Sequence, residues 1–358
     1  MLVLIQPILV VLAAVLLVGT LLPLSASKAW WVRVWDFPRA QIATALACVA
    51  AGIAVAGPAR VVLLPPLLAA LAYQHWRIRP YTRAMTPEMV LAPAAAGRDI
   101  VLMAANVLME NGRHQAVRNL VEEVDPDVLL LMETNEAWVN AVEPTLARYP
   151  TVVRVPKDNY YGLVFATRLE AIDVRAVRIA DDDTPAVFAE LKTRDGAVFR
   201  FVGLHPRPPV PGEDSESRDA QILYAARFAA KSGVPLVAMG DFNDAAWSDT
   251  AQRFKHVGGY LDPRIGRGFF SSFDATRWWF RCPIDQLYAT PDVAMVSFRR
   301  GPDIGSDHFP IIAEVRLDAE LARGLNRAPT PLPGDEAAEV ERHVARWRDR
   351  LGPDAFPT

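Results

Sequence analysis

Gly240-Asp241-Phe242-Asn243-Asp244 directly follows the apolar run Val234-Pro235-Leu236-Val237-Ala238-Met239. Such a run reads as a strand buried on both faces, as in the parallel part of an α/β sheet. Asp241 and Asn243, two residues apart at the strand's end, then point the same way into the cleft beyond it. A plain Asp/Asn turn would use the same five residues without any chemistry. The neighbouring stretches decide between the two.

Working outward, residues 99–105 and 127–132 read as buried strands on either side of an amphipathic helix over 113–124, the opening of an α/β fold. Strands follow at 162–167, 174–179, 186–193 and 198–204, helical periodicity returns over 217–230, and the last strands are 284–289 and 309–315. Two sheets packed face to face with helices outside would bury this pattern. Polar residues sit at the strand ends: Asn106, Glu133, His205, Asp241 and Asn243, with Asp285 interrupting an apolar strand and Asp307-His308 preceding the last. Taken singly, each has an ordinary explanation as turn former, helix cap, loop histidine or buried core Asp. Independent turns, however, have no reason to bring carboxylates, two histidines and two amides to one end of a sheet.

The chain has 358 residues, 51% of them hydrophobic, and a mean hydropathy of +0.12, high for a wholly soluble protein. Residues 2–24 are almost unbroken Leu, Val, Ala and Ile, enough for a helix to cross a bilayer. No Lys or Arg precedes the run and it is longer than a signal core, which argues against a cleaved signal peptide. Trp30, Trp31 and Trp35 with Lys28, Arg33 and Arg39 suit the headgroup level. Residues 42–57 and 61–76 are further apolar runs near the lower length limit, giving a multi-pass anchor of about three helices, the third either crossing or re-entrant. With three spans, Lys28, Arg33, Arg39, Arg77, Arg79 and Arg83 fall on one side and lean the rest of the chain toward the cytoplasm. The division expected is an anchor over 1–84, a linker over 85–98, a catalytic domain over 99–317, and a Pro-rich linker with a C-terminal amphipathic helix over 318–358. A net charge of −3 advertises no global nucleic-acid affinity, and the lone Cys48 and Cys282 indicate neither a disulfide framework nor a cysteine metal site.

Ala-Ala-Asn106-Val, Leu-Met-Glu133-Thr, Gly-Leu-His205-Pro, the Gly240 to Asp244 stretch, Ile-Asp285-Gln-Leu and Gly-Ser-Asp307-His308-Phe-Pro resemble, in order, the motifs of the endonuclease/exonuclease/phosphatase superfamily typified by deoxyribonuclease I. The resemblance implies a four-layer αββα sandwich and a hydrolase of phosphate esters. The N-terminal spans and Trp35-Asp36-Phe37-Pro38-Arg39 resemble bacterial membrane-anchored members, which implies a cell-membrane location. By the same resemblance Glu133, with Asn106 and Asp307, holds Mg²⁺, with Mn²⁺ or Ca²⁺ as alternatives. Asp241 positions or deprotonates the attacking water, Asn243 donates to a phosphate oxygen, Asp285 orients His308, and His205 is the second imidazole. The carboxylate partnering that second histidine in the family has no clean counterpart, since Lys157-Asp158-Asn159-Tyr160-Tyr161 offers an Asp, an Asn or a Tyr. Asp244 reads as the closing cap of its turn.

Arg264, Arg267, Arg277, Trp278, Trp279 and Arg281 gather cations and rings just before Asp285, fit to grip phosphates and stack on bases, or to sit at a lipid headgroup layer. Arg218, after His205, is a further candidate substrate contact. The function expected is a membrane-tethered, Mg²⁺-dependent phosphohydrolase: first a nuclease-like phosphodiesterase, second a lipid or inositol-phosphate hydrolase, and third a scaffold on a catalytically dead fold. Partners are accordingly a nucleic acid or a phospholipid headgroup and the bilayer itself; the sequence fixes no oligomeric state.

Overall fold

The computed structural model describes residues 2–55, 59–179, 183–230, 233–330 and 334–348. Helices α1 (Leu2–Leu21), α2 (Trp30–Arg33), α3 (Arg39–Val55) and α4 (Arg60–Ile78) come first. α1, α3 and α4 share an apolar core of Ala13, Leu46, Ala50, Ile53 and Leu67. Gly19 lets α1 approach Trp35, since a Cβ there would fall 2.3 Å from the indole. A polar chain runs through the bundle: Arg39 donates to Asp36 at 2.6 Å and to Gln74 at 3.1 Å, and Gln74 donates to Thr20 at 3.1 Å.

Among the described residues one stretch, Gln6–Leu24, is long and apolar enough to cross a membrane. Trp30–Asp36 and Arg39–Val55, bent by 77°, make a second only if both belong to one broken span. The expected third span falls short, because α4 includes Arg60, Pro65, Pro66, Gln74, His75 and Arg77 within its 19 residues. The charge argument for sidedness also weakens. Lys28 pairs with Asp219, Arg33 and Arg39 with Asp36, and Arg77 with Asp249, so four of the six cations have a folding role independent of topology.

The strands are β1 (Ile100–Asn106), β2 (Val128–Met132), β3 (Thr151–Val155), β4 (Leu163–Thr167), β5 (Glu170–Arg178), β6 (Pro185–Lys192), β7 (Val198–Leu204), β8 (Leu236–Asp241), β9 (Asp285–Ala289), β10 (Ala294–Arg300) and β11 (Ile311–Arg316). They form one sheet in the order β10-β11-β1-β2-β4-β3 and another in the order β5-β6-β7-β8-β9. Period-2 alternation explains the layering. Leu102, Ala104, Leu130 and Met132 face the second sheet, where Phe201, Val237, Met239 and Leu287 meet them. The alternate residues Met103, Ala105, Leu129 and Leu131 face outward onto α5 (His114–Val124) and α6 (Glu136–Leu146). Val202, Leu204 and Ala238 face α7 (Glu216–Ala230) and α8 (Asp249–Gly258). The result is the expected αββα sandwich.

α9 (Ala319–Leu325) follows the last strand, and α10 (Gly334–Arg348) docks on the second sheet's helical layer through Val340, as the terminal amphipathic pattern anticipated. The rest of the expected C-terminal stretch, residues 349–358, lies outside the described residues. α6, α8, β3 and β10 were not evident from the sequence. α6 contains Pro144 yet starts on a sound cap, Asn135 accepting from the Trp138 amide, and α8 starts on Ser248 in the same way.

Candidate active site

The parallel pairs β1–β2 and β7–β8 end at the same edge of the sandwich, and this is what assembles the polar residues. Register puts Asn106 opposite Met132, Leu204 opposite Gly240, and Asp241 opposite Asp285. The two sheets touch there, the Asp241 amide lying 3.2 Å from Met132 Sδ. Gly240 has φ +144, and a Cβ on it would fall 2.1 Å from the Leu204 carbonyl, so only glycine lets β8 reach its end beside β7. Glu133 (φ 62) and Asn243 (φ 47) leave their strands in the left-handed region. That costs roughly 1 kcal/mol or more for a side-chain-bearing residue, and it turns both side chains out of the strand line.

Asp241 is the centre. Its Oδ1 accepts from the Asn243 amide at 2.8 Å, and its Oδ2 accepts from Asn106 Nδ2 at 3.2 Å. His308 Nε2 lies 3.6 Å and His205 Nε2 3.9 Å from the same Oδ2. His308 Nδ1 is held by Asp285 Oδ2 at 2.7 Å. Burial alone would lower the His308 pKa, but Asp285 and Asp241 outweigh it and hold the imidazole at about 10. For His205 burial wins, and its pKa falls to about 4 with Asp241 only partly opposing. The two imidazoles therefore differ in charge, the first cationic and the second neutral.

Asn106 also donates to Glu133 Oε1 at 2.7 Å. Burial pushes Glu133 up to about 7, against that hydrogen bond and the nearby His308. Burial likewise raises Asp307 above the usual carboxylate range. No Lys or Arg pairs with Glu133 or Asp307 among the described residues. Half-buried carboxylates with no Lys or Arg partner are the chemistry that a hard divalent ion satisfies. Asp241, Asp285 and His308 also offer ligand atoms within 4.8 Å of one another. There, however, the His308–Asp285 contact already uses Nδ1 and Oδ2, and the imidazolium repels a cation. The Glu133 side fits a metal better.

The residues expected from sequence divide clearly. Asn106, Glu133, His205, Asp241, Asp285 and His308 converge. Asp307 adjoins them, half-buried. Asn243 reaches the site edge, where Nδ2 donates to the Pro206 carbonyl at 2.9 Å and leaves its second N–H available. Arg218 is corrected: it is buried, donates to Asp219 Oδ1 at 2.8 Å and to the Asn243 carbonyl at 3.0 Å, and lies 3.2 Å from Asp244. A guanidinium so fully engaged cannot meet substrate; it braces the Asn243 turn. Asp244 is likewise more than a cap, since it accepts from Ser248 and faces Arg218, with burial pushing it up to about 7. Sequence reasoning missed this pair because a buried Arg and a solvated one look alike in a short polar stretch.

Of the Asp, Asn and Tyr residues in 157–161 offered as the His205 partner, Tyr161 lies beside it, ring to ring at 5.8 Å, and the Arg207 guanidinium lies over the same tyrosine ring at 4.9 Å. His205 Nδ1 is buried without a hydrogen-bond partner. Arg277 and Trp278 lie on the exposed loop before β9, Arg277 pairing with Asp274 at 3.2 Å. A cavity of about 650 Å³ lined by Trp76, Arg77, Tyr81, Trp247, Arg253 and His256 lies between α4 and α8 and contains none of the convergent residues.

Arg218→Met should lower stability by about 3–5 kcal/mol, the range for breaking a buried ion pair from one side. Asp244 would then face no cation, and Asp219 would keep only Lys28. Denaturant midpoints of the full chain in detergent check this; an unchanged midpoint would mean that the pair contributes nothing.

Two sheets, helices outside, and carboxylates with two imidazoles at one sheet edge define a phosphoesterase-type sandwich. The sequence model described as the Endonuclease/Exonuclease/phosphatase family matches residues 103–308, and the chain belongs to that family. It is accordingly a metal-dependent hydrolase of phosphate ester bonds. No curated protein matches the chain. Solved structures share the fold at low identity. D. rerio TDP2 complexed with single strand DNA product aligns over 61% of this chain and 99% of its own, at 15% identity and TM-score 0.51. An endonuclease/exonuclease/phosphatase from Bacteroides vulgatus gives 62% and 99%, at 19% and 0.51. The human Nocturnin catalytic domain with bound sulfate gives 61% and 93%, at 15% and 0.50. Because nearly all of the first two is aligned, what is left over of this chain is additional to them.

Proposed function

We propose that this protein is a membrane-anchored, Mg²⁺-dependent phosphodiesterase. The observation that carries the reading is the approach of both His205 Nε2 and His308 Nε2 to Asp241 Oδ2, beside the Asn106–Glu133 pair. Glu133 is the principal metal ligand, with Asn106 and Asp307 completing or orienting the set. A divalent ion held there would supply neutralisation of phosphate charge and polarisation of the ester. Asp241 orients the attacking water and takes its proton. Asp285 fixes the His308 ring, whose Nε2 faces the phosphate position. Asn243 offers its spare N–H to a phosphate oxygen. His205, neutral and with a free Nδ1, accepts or relays a proton near the leaving oxygen. On this reading α1 to α4 form the membrane unit, the sandwich is the catalytic unit, and α10 packs on it.

A nucleic-acid strand fits the resemblance, and TDP2 is solved with a single strand DNA product. A phospholipid headgroup is the second reading, favoured by the hydrogen bond from Gln41 on α3 to the Arg281 carbonyl in the loop beside the site. Full-length protein in nanodiscs should hydrolyse bis(4-nitrophenyl) phosphate with Mg²⁺. Activity should vanish with EDTA, return on adding Mg²⁺ or Mn²⁺, and be at background in Glu133→Ala and His308→Ala. Turnover unaffected by EDTA and by both substitutions would refute the assignment. Plasmid nicking against release of a phosphorylated headgroup from the same nanodiscs separates the two substrates.

A further inference from the structure

Trp278 and Trp279 are 82% and 60% exposed, adjacent to one another, on the loop leading into β9. Two indoles left in water forgo a large apolar gain. Among the described residues the other exposed tryptophans are Trp31 on α2 and Trp76 on α4, both in the membrane unit. The loop is tied at both ends. On one side Gln41 Nε2, in the first turn of α3, donates to the Arg281 carbonyl at 3.0 Å. On the other, the Ala275 amide donates to the Asp307 carbonyl at 2.7 Å. Rings connect the two: Trp279 to Phe280 at 6.0 Å, Phe280 to Phe273 at 6.4 Å, and Phe273 to His308 at 4.9 Å.

We infer that this loop is a second membrane contact, with Trp278 and Trp279 seated among lipid headgroups so that the active-site mouth lies against the bilayer. The inference rests on the anchor proposed above. Gln41, whose bond holds the loop, lies in the first turn of α3 and closely follows Trp30, Trp31 and Trp35, so in the proposed anchor the loop lies at the same end of α3 as those rings. Tryptophan prefers the headgroup depth, where its ring is half in hydrocarbon and its N–H is hydrated. Arg277, exposed beyond its bond to Asp274, adds a cation that anionic headgroups attract. A base-stacking platform could use the same side chains, but nothing in such a role calls for attachment to a membrane helix.

The test uses the full chain labelled with 5-fluorotryptophan, in nanodiscs of phosphatidylcholine and phosphatidylglycerol. Resonances are assigned by their loss in W31F, W76F, W278F and W279F. Nitroxide-labelled phospholipid should broaden Trp278 and Trp279 several-fold, as it does Trp31 and Trp76, and leave Trp138 in the sandwich core sharp. A water-soluble gadolinium chelate should broaden all four less than the lipid label does. Trp31 and Trp76 responding to lipid while Trp278 and Trp279 respond only to the chelate would overturn the loop contact and leave the anchor standing. If none of the four responds to lipid, anchor and loop contact fall together. Shifts of Trp278 and Trp279 on adding a single-stranded oligonucleotide, with no response to the lipid label, would make the loop a nucleic-acid platform and refute the inference.

Discussion

Asp241→Ala is expected to reduce kcat/KM for bis(4-nitrophenyl) phosphate by about 10³-fold or more, near the upper part of what a positioned acid or base contributes. Asn106, His205 and His308 all approach one oxygen of Asp241, while the other oxygen accepts the Asn243 amide. Removing the carboxylate takes away both the proton acceptor and the group on which the two imidazoles converge. Asp241→Asn is the sharper experiment. It preserves volume and can still accept from Asn243, but it takes no proton from water and sets an NH₂ against the Asn106 and His308 donors, so it should lose nearly as much activity, with stability lowered by about 1–3 kcal/mol. If Asp241→Asn kept a tenth or more of wild-type turnover, Asp241 would be an orienting residue and the base would have to be sought elsewhere.

How much of this was legible beforehand follows from which physical signals are local. The strands carrying the site are runs of apolar residues ending in a polar one, and both features survive in one dimension. β1, β2, β7, β8, β9 and β11 were therefore found within a few residues, and the family resemblance lies on their ends. β3 and β10 were missed: Thr151–Val155 is half-buried apart from the exposed Arg154, and Ala294–Arg300 ends in exposed arginines, so neither declares itself by composition. α6 was missed because Pro144 reads as a breaker, although the tertiary packing of Trp138 and Val142 retains the helix.

At the site, residue identity was legible and partnership was not. Arg218 and Asp244 are separated by 26 positions, and only the turn after β8 brings them together. The support beneath that turn is longer-range still. The Trp247 indole donates to the Asp36 carbonyl at 2.7 Å, and Tyr81 donates to the Ala246 carbonyl at 2.6 Å. The stretch Trp-Asp-Phe-Pro-Arg, read as headgroup-level sequence, thus has a second use: Asp36 gives its side chain to Arg39 and its backbone to the segment just after Asn243. The expectation of three clean spans failed for a related reason. Gln74 and Arg77 lower the apolarity of α4 because they serve contacts, Gln74 within the bundle and Arg77 with Asp249 and the Trp247 carbonyl. A segment that must both pack in the N-terminal helical bundle and contact the sandwich cannot read as plain hydrocarbon.

Asp285→Asn should lower kcat by about 10³–10⁴-fold with KM changed little, the scale seen when an Asp that orients a catalytic imidazole becomes an amide. Here the geometry sharpens the expectation. The bond from His308 Nδ1 to Asp285 Oδ2 is 2.7 Å, while Asp285 Oδ1 is buried without a partner. An amide must place its NH₂ at one of those two positions. Toward His308 it confronts the Nδ1 proton, which the ring must give up; away from it, two N–H donors are buried unsatisfied, at about 1–3 kcal/mol. The first choice loses the fixed orientation of Nε2 toward Asp241, and the second keeps a weaker bond with no charge to hold the imidazolium. Because the two residues act as a unit, the losses should not add. The double variant Asp285→Asn with His308→Ala should be no slower than His308→Ala alone, within a few-fold. If instead the double variant lost the product of the two single effects, Asp285 would act on the reaction by a route independent of His308, and the proposed dyad would be wrong.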